Sequence, residues 1–281
     1  MNQRQIITLA AISVLALLII INLAPNPTTG NAQVAVIEID GMITIDQAGG
    51  LLAAQSTSST QVTRWIEQAN EDNSIQAILL EINSPGGSAV ASDEIVQALK
   101  EVDKPTTAWI REAGASGAYW IASEADHVIA NRMSITGSVG VVASYLNFAE
   151  FLEEQNVTYQ QLSAGEDKEL GTPFAELDQR QEGLLQEKLD RIHEFFIQDV
   201  SNNRNLTQEQ EQEIRSGMFY LGVEAYELGL VDELGTRIEV QNHFEETLNA
   251  TPNYQRYQPQ RGVFEQLFSV QVPQTGWKIT T

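Results

Sequence analysis

"AILLEINSPGGSAVASDEIVQALKEV", residues 77–102, changes its period halfway along. Residues 77–83 are an almost unbroken apolar run, the pattern of a strand buried on both faces. "SPGGS" stops that run. From 89 to 102 apolar residues return at three- and four-residue steps, as on one face of a helix, with Ser88 placed to cap it. Strand, tight turn and helix recur on both sides of this stretch. "VAVIEI" (34–39) predicts a strand ending in a turn at Gly41, and "TQVTRWIEQANED" (60–72) predicts a helix through Val62, Trp65, Ile66 and Ala69. "TTAWIR" (106–111) reads as the next strand, "SGAYWIASEA" opens a helix near Ser116, and "HVIA" (127–130) is a short strand. Parallel strands covered by crossover helices are the expected architecture, an α/β fold.

Beyond residue 146 the chain turns more helical. Residues 174–204 carry Leu177, Leu184, Leu185, Leu189, Ile192, Phe196 and Val200 on one stripe, which predicts a long amphipathic helix. Thr207 is placed as the N-cap of a second helix, and "GVEAYELGLVDELGT" reads as a helix closed by Gly229 and followed by a short strand. From about Thr247 the sequence is rich in Gln, Pro and aromatics without a period, and is expected to be extended or loosely ordered.

The first residues are of another kind. Residues 6–24, "IITLAAISVLALLIIINLA", contain no charge and are long enough as a helix to cross a bilayer. Arg4 precedes this run and every acidic residue of the chain follows it, so the expected orientation leaves the N-terminus in the cytoplasm and the body outside the cell membrane. A cleaved signal peptide is the alternative, although the run exceeds the usual apolar region of one. Pro25 and Pro27 then open a short extended linker. The expected organisation is an anchor and linker over 1–31, one α/β domain over 32–246 and a tail over 247–281.

Charge and composition exclude several functions. With 38 acidic against 16 basic residues the formal charge is −22, which opposes binding to a nucleic-acid backbone. No cysteine is present, so disulfides, thiolate metal sites and a cysteine nucleophile are ruled out. The three histidines, His127, His193 and His243, show no metal-ligand spacing, and neither a metal nor an organic cofactor is expected.

Two small-residue turns carry the chemistry. "EINSPGGSA" (81–89) exposes backbone N–H groups at a helix start, where negative charge is favoured; without a following lysine it is not a phosphate-binding GxxxxGK[ST] loop. "AGASGAYW" (113–120) repeats that geometry one strand later and presents Ser116 among Gly114, Ala115 and Gly117. Taken singly, the first is an ordinary turn and the second an N-cap serine. Taken as neighbours, one supplies donors and the other a hydroxyl, which is what acyl transfer requires.

Three ordered motifs, "INSPGGS", "ASGAYWIA" and "ITGSVGVV" (135–142), resemble the signal peptide peptidase A family of membrane-anchored serine peptidases, with a ClpP/crotonase-like fold, over roughly residues 34–235. The resemblance implies Ser116 as nucleophile and oxyanion donors from the backbone of Gly86 or Gly87 and of Gly117. It implies a lysine base, and Lys168 in "SAGEDKELGTPF" (163–174) matches the family's lysine segment, although Asp167 stands where an aromatic is common. Thr136 and Ser138 are candidates to orient the amine. A Ser-His-Asp triad is not expected, since "GSVGVV" stands where a histidine would follow. Implied partners are extended hydrophobic peptides, remnant signal peptides among them, the membrane through the N-terminal helix, and further copies of the chain. Two readings stay beside this one: an NfeD-type membrane protease of a specific membrane protein, and a non-catalytic scaffold of the same fold. A crotonase acting on acyl-CoA is disfavoured by the scarcity of basic groups for its phosphates.

Overall fold

The computed structural model describes residues 31–46 and 56–257. Its centre is a parallel sheet built from β1 (Asn31–Asp40), β4 (Ile75–Ser84), β5 (Thr106–Ala115), β6 (His127–Ala130) and β9 (Glu233–Leu234), in the spatial order β1, β4, β5, β6, β9. β10 (Thr251–Tyr257) adds a parallel strand outside β1, from Asn31 opposite Thr251 to Ile37 opposite Tyr257. β7 (Ile135–Gly137) pairs with the last residues of β5, beyond the part that pairs with β6, and β8 (Phe219–Leu221) runs antiparallel to β7. Two further short strands, β2 (Met42–Thr44) and β3 (Ser56–Ser58), pair with each other.

The apolar runs divide between the two faces because successive side chains of a strand alternate. Ala35, Ile37 and Ile39 of β1, with Ile78, Leu80 and Ile82 of β4, point to one face. That face is covered by α1 (Ser59–Glu71), α2 (Ala89–Lys100), α3 (Gly117–Glu124) and the far half of α5 (Gln179–Asn203). Each fully buried isoleucine here contributes about 1.5–3 kcal/mol of transfer free energy, so this layer dominates the stability of the core. Val34, Val36, Ala77, Leu79, Trp109 and Ile129 point the other way, onto Val240 and Phe244 of α8 (Arg237–Leu248). Toward the C-terminal ends of the strands this second face turns charged. There Glu81 is held by Arg111 and Arg256, and a cavity of about 580 Å³ opens among Glu38, Glu81, Asn83 and Arg111.

The caps are where the sequence puts them. Ser88 accepts from Ala91 N, and Thr207 closes a capping box at α6 (Gln208–Ile214). Gly229, at φ 79°, follows α7 (Gly222–Glu227). The long helix starts later than residue 174, at Gln179, because Asp178 caps it through Gln181 N at 2.7 Å. The expected boundary near 247 also moves. α8 runs through it to Leu248, and Thr251–Tyr257 are extended but form a hydrogen-bonded edge strand, so the α/β unit continues to Tyr257. An edge strand has one paired side, and its burial alternates only between exposed and half-buried, which is why no apolar period marked it.

Residues 141–178 leave the sheet as an arm that is exposed over most of its length. It contains α4 (Ala149–Glu154), which buries no residue, and it is closed at its base by Phe148 N donating to Pro173 O at 2.7 Å. No helix among the described residues is long and apolar enough to cross a membrane. The span expected over residues 6–24 lies outside the described residues.

Candidate active site

The two small-residue turns meet at the C-terminal ends of β4 and β5. Ser84 and Gly114 are register partners across these strands, so the segments that follow, Pro85–Ser88 and Ala115–Gly117, leave the sheet side by side. Gly86, at φ 101°, presses on the serine turn: a Cβ there would fall 2.8 Å from Ala115 O, 2.9 Å from Gly117 N and 2.9 Å from the Ser116 Cβ. Only glycine fits such an approach.

Ser116 sits at the N-cap position of α3, and Tyr119 N and Trp120 N donate to its carbonyl at 2.8 and 3.0 Å. Its own N–H donates to Gly137 O at 2.8 Å, tying the turn to β7. Its hydroxyl caps nothing, so the plain reading of a capping serine does not hold. The backbone is at φ 53°, ψ −129°, a conformation that costs an L-residue on the order of 1–3 kcal/mol and is characteristic of functional turns. A sharp strand-to-helix turn of this kind lifts a serine hydroxyl clear of the sheet, as in a nucleophile elbow.

The donors can be told apart. Gly86 N is taken by Ser84 Oγ at 3.1 Å, and Ser84 Oγ itself donates to Gly41 O at 2.6 Å. Gly87 N and Gly117 N make no hydrogen bond among the described residues, and they lie together, since a Cβ on Gly117 would be 3.6 Å from Gly87 N. Of the glycines expected to serve as oxyanion donors, Gly87 and Gly117 are therefore the pair with free, adjacent N–H groups, and Gly86 shapes the loop. Two features missing from the sequence reading fix this pair. β2 clamps the loop, with Ile43 N donating to Gly86 O and Ser88 N donating to Ile43 O. Ser92 on α2 is fully buried against Gly117, where a Cβ would come within 2.2 Å of its Oγ. Three-residue strands such as β2 are too short to show a period, but the mostly small side chains around 84–92 and 114–118 are a signal of close backbone approach.

Thr136 is fully buried and its hydroxyl donates to Gly114 O at 2.8 Å, stitching β7 to β5. Ser138 follows at φ 52° with its N–H on Met218 O, and its hydroxyl makes no hydrogen bond among the described residues. Both stand within two residues of Gly137, whose carbonyl holds Ser116 N. Lys168 lies on the arm. It is exposed in the turns that follow Gly165 on the arm, and no hydrogen bond or ion pair joins its amine to Ser116. Two of its acidic neighbours are drawn off by Arg180, which pairs with Asp167 and with Glu166 at 3.3 Å. The Arg180 hydrogen bond holds the Asp167 carboxyl below the usual range.

The histidines take no part in this site. His193 on α5 bonds Val139 O at 3.0 Å, holding the root of the arm, while His127 and His243 stack on each other against β9. The cavity on the second face of the sheet includes neither Ser116 nor the two donor glycines among its lining residues.

Comparison with known proteins bears on the family and the fold. Residues 98–251 match the model of peptidase family S49. The chain is 32% identical to Protease 4 of Haemophilus influenzae over 220 residues, covering 77% of this chain and 35% of that protein. It is 27% identical to the chloroplastic serine protease SPPA of Arabidopsis thaliana over 213 residues, 74% of this chain and 31% of that one, and so spans about a third of each relative. The fold is that of a substrate-peptide complex of the 1510-N membrane-bound stomatin-specific protease, with a TM-score of 0.54 at 17% identity, over 85% of this chain and 96% of the other.

Proposed function

This chain belongs to peptidase family S49, and we propose that it is a serine endopeptidase of the signal peptide peptidase type, working through a Ser/Lys dyad on hydrophobic peptides beside the membrane. The observation that carries the reading is the hydroxyl of Ser116, on a strained turn, beside the N–H groups of Gly87 and Gly117, none of them hydrogen-bonded among the described residues. Ser116 Oγ attacks the peptide carbonyl as its proton passes to the neutral amine of Lys168. The developing oxyanion is met by the two N–H groups, already fixed in place by β2 and Ser92, so little reorganisation is needed as charge forms. The lysine then gives its proton to the leaving amine, and water repeats the sequence on the acyl-enzyme.

Lys168 is exposed on the arm and has no link to the serine of its own chain. We place it at the Ser116 of a neighbouring copy, with Ser138 orienting the amine. The arm's exposed apolar residues, Leu146 and Leu162 among them, support such packing. The N-terminal residues 6–24 hold the assembly to the membrane with the catalytic body outside the cytoplasm. Substrates would be extended peptides, including signal peptides left after export, laid along the strand edge near the serine.

The test is labelling by a fluorophosphonate together with cleavage of a synthetic signal peptide. Wild type should label and cleave, Ser116→Ala should do neither, and Lys168→Met should bind the peptide without cleaving it. Equal labelling of wild type and Ser116→Ala would favour the scaffold reading. Cleavage confined to one membrane protein, with signal peptides untouched, would favour the NfeD-type reading.

A further inference from the structure

The histidines that the peptidase chemistry leaves unused are brought together by the fold. His127 opens β6, Glu233 lies on β9 and His243 lies on α8. Glu233 is the register partner of Ile129, and His127 stands two residues before Ile129 on the same side of the strand. Both therefore face α8 on the second face of the sheet. The imidazoles of His127 and His243 stack with centroids 4.1 Å apart and planes within 7°. His127 Nε2 is 3.3 Å from Glu233 Oε2, and one ligand atom from each of the three residues lies within 4.8 Å of the others. The distant nitrogen of His127, Nδ1, faces Asp232 Oδ2 at 4.0 Å. Asp232 is fixed in turn by Val128 N at 2.7 Å and by Arg204.

We propose that His127, Glu233 and His243 form a binding site for one divalent transition metal of the zinc type, which staples α8 and the β9 edge to β6. Two imidazoles and a carboxylate are a zinc donor set, whereas calcium and magnesium require a shell of oxygens that three such residues do not supply. Asp232 plays the part of an outer carboxylate. Its Oδ2, 4.0 Å from Nδ1, stands on the side of the His127 ring away from Glu233, where the outer partner of a metal-bound histidine belongs. A four-coordinate ion with bonds of about 2.0–2.1 Å sets its ligand atoms about 3.3 Å apart. His127 and Glu233 already meet that spacing, and His243 reaches it by tilting out of the stack. The carboxylates of Glu246 and Asp232 complete the charges facing His243 and favour a cation there.

The position argues for a structural ion. His127 is the first residue of β6, whereas Ser116 lies past the last residue of β5, so the two sites belong to opposite ends of the sheet. The metal would lock the helix that covers the second face and leads into β10. Three protein ligands leave a fourth position for water.

The full chain, stripped with chelator and dialysed, is titrated with zinc sulfate by calorimetry and melted with and without the ion. One zinc per chain, a dissociation constant in the micromolar range or tighter, and a rise of several degrees in Tm at saturation are expected. His243→Gln and Glu233→Gln should each weaken binding by at least about tenfold and remove the Tm rise. With so many surface carboxylates, weak binding elsewhere is measured by the double variant His127→Gln/His243→Gln. Uptake and Tm rise in that variant equal to wild type would overturn the proposal. Cobalt(II) provides a readout on wild type alone, independent of whether the variants fold. Visible absorption bands of a low-coordinate nitrogen-ligated ion are expected; a spectrum indistinguishable from aqueous cobalt would also overturn the site.

Discussion

Ser116 is held where an L-residue does not rest easily. Its φ of 53° with ψ −129° is the mirror image of an extended conformation, open to glycine without penalty. Ser116→Gly should therefore stabilise the fold by about 1 kcal/mol, read as a Tm about 2–4 °C above wild type, while abolishing cleavage. Ser116→Ala keeps the strain and should melt near wild type. A Gly variant no more stable than the Ala variant would mean that the turn stores no strain. A second residue, Glu194, carries a pH dependence. The hydrogen bonds from Arg215 pull its carboxyl down to about 2 in the folded chain. A carboxylate depressed by folding adds stability above its unfolded pKa, near 4.3, and loses it as pH falls through the folded value. Glu194→Gln should thus be less stable than wild type at pH 6, and the gap should close between about pH 4.3 and pH 2 in urea melts. A gap that stays constant across that window would show that the pair does not titrate with folding.

At the scale of elements, the site depends on how closely α2 can lie against the start of α3. Ser92 Oγ occupies the space that a side chain on Gly117 would need. Gly117→Ala should therefore lose both stability, by about 1–3 kcal/mol, and activity, as overpacked sites do. Ser92→Gly vacates that space, and the double variant Ser92→Gly/Gly117→Ala should recover most of the lost stability, a coupling read from denaturant melts of all four proteins. Simple additivity would place the contact elsewhere. The same contact explains what the sequence could and could not disclose. The strands β1, β4 and β5 and the helices between them were legible because apolar runs and three- and four-residue steps are local properties. Ser116, Gly87 and Gly117 were legible as small residues at turns, since close approach excludes side chains. What was not legible depends on distant pairing. β2 gains its meaning only by lying on Gly86–Ser88, and β10 only by joining β1. His127, Glu233 and His243 sit in three elements and share no spacing, so only the fold brings them to one place.

For the whole molecule, the proposed dyad requires the exposed Lys168 to meet a serine just past the end of β5. The arm displays Val142, Leu146 and Leu162 at 88%, 71% and 100% exposure, apolar surface that a soluble body seldom leaves bare in one segment. The arm and the serine turn are different surfaces of the chain, so arm-to-site packing between copies is heterologous and closes into a ring when the rotation allows. In such a ring each active site takes its serine from one copy and its lysine from the next. Ser116→Ala and Lys168→Met should each be inactive alone. Co-expressed in equal amounts and randomly assembled, they should regain about a quarter of wild-type activity, because one site in four joins an intact Ser116 to an intact Lys168. Complementation should vanish when Leu146 and Leu162 are replaced by Asp, and the assembly should fall to smaller species by light scattering. Dyads confined within single chains would leave the mixture as inactive as its parts, even with the assembly intact. The two measurements together separate a shared site from a shared shell, since the first follows the chemistry and the second only the packing.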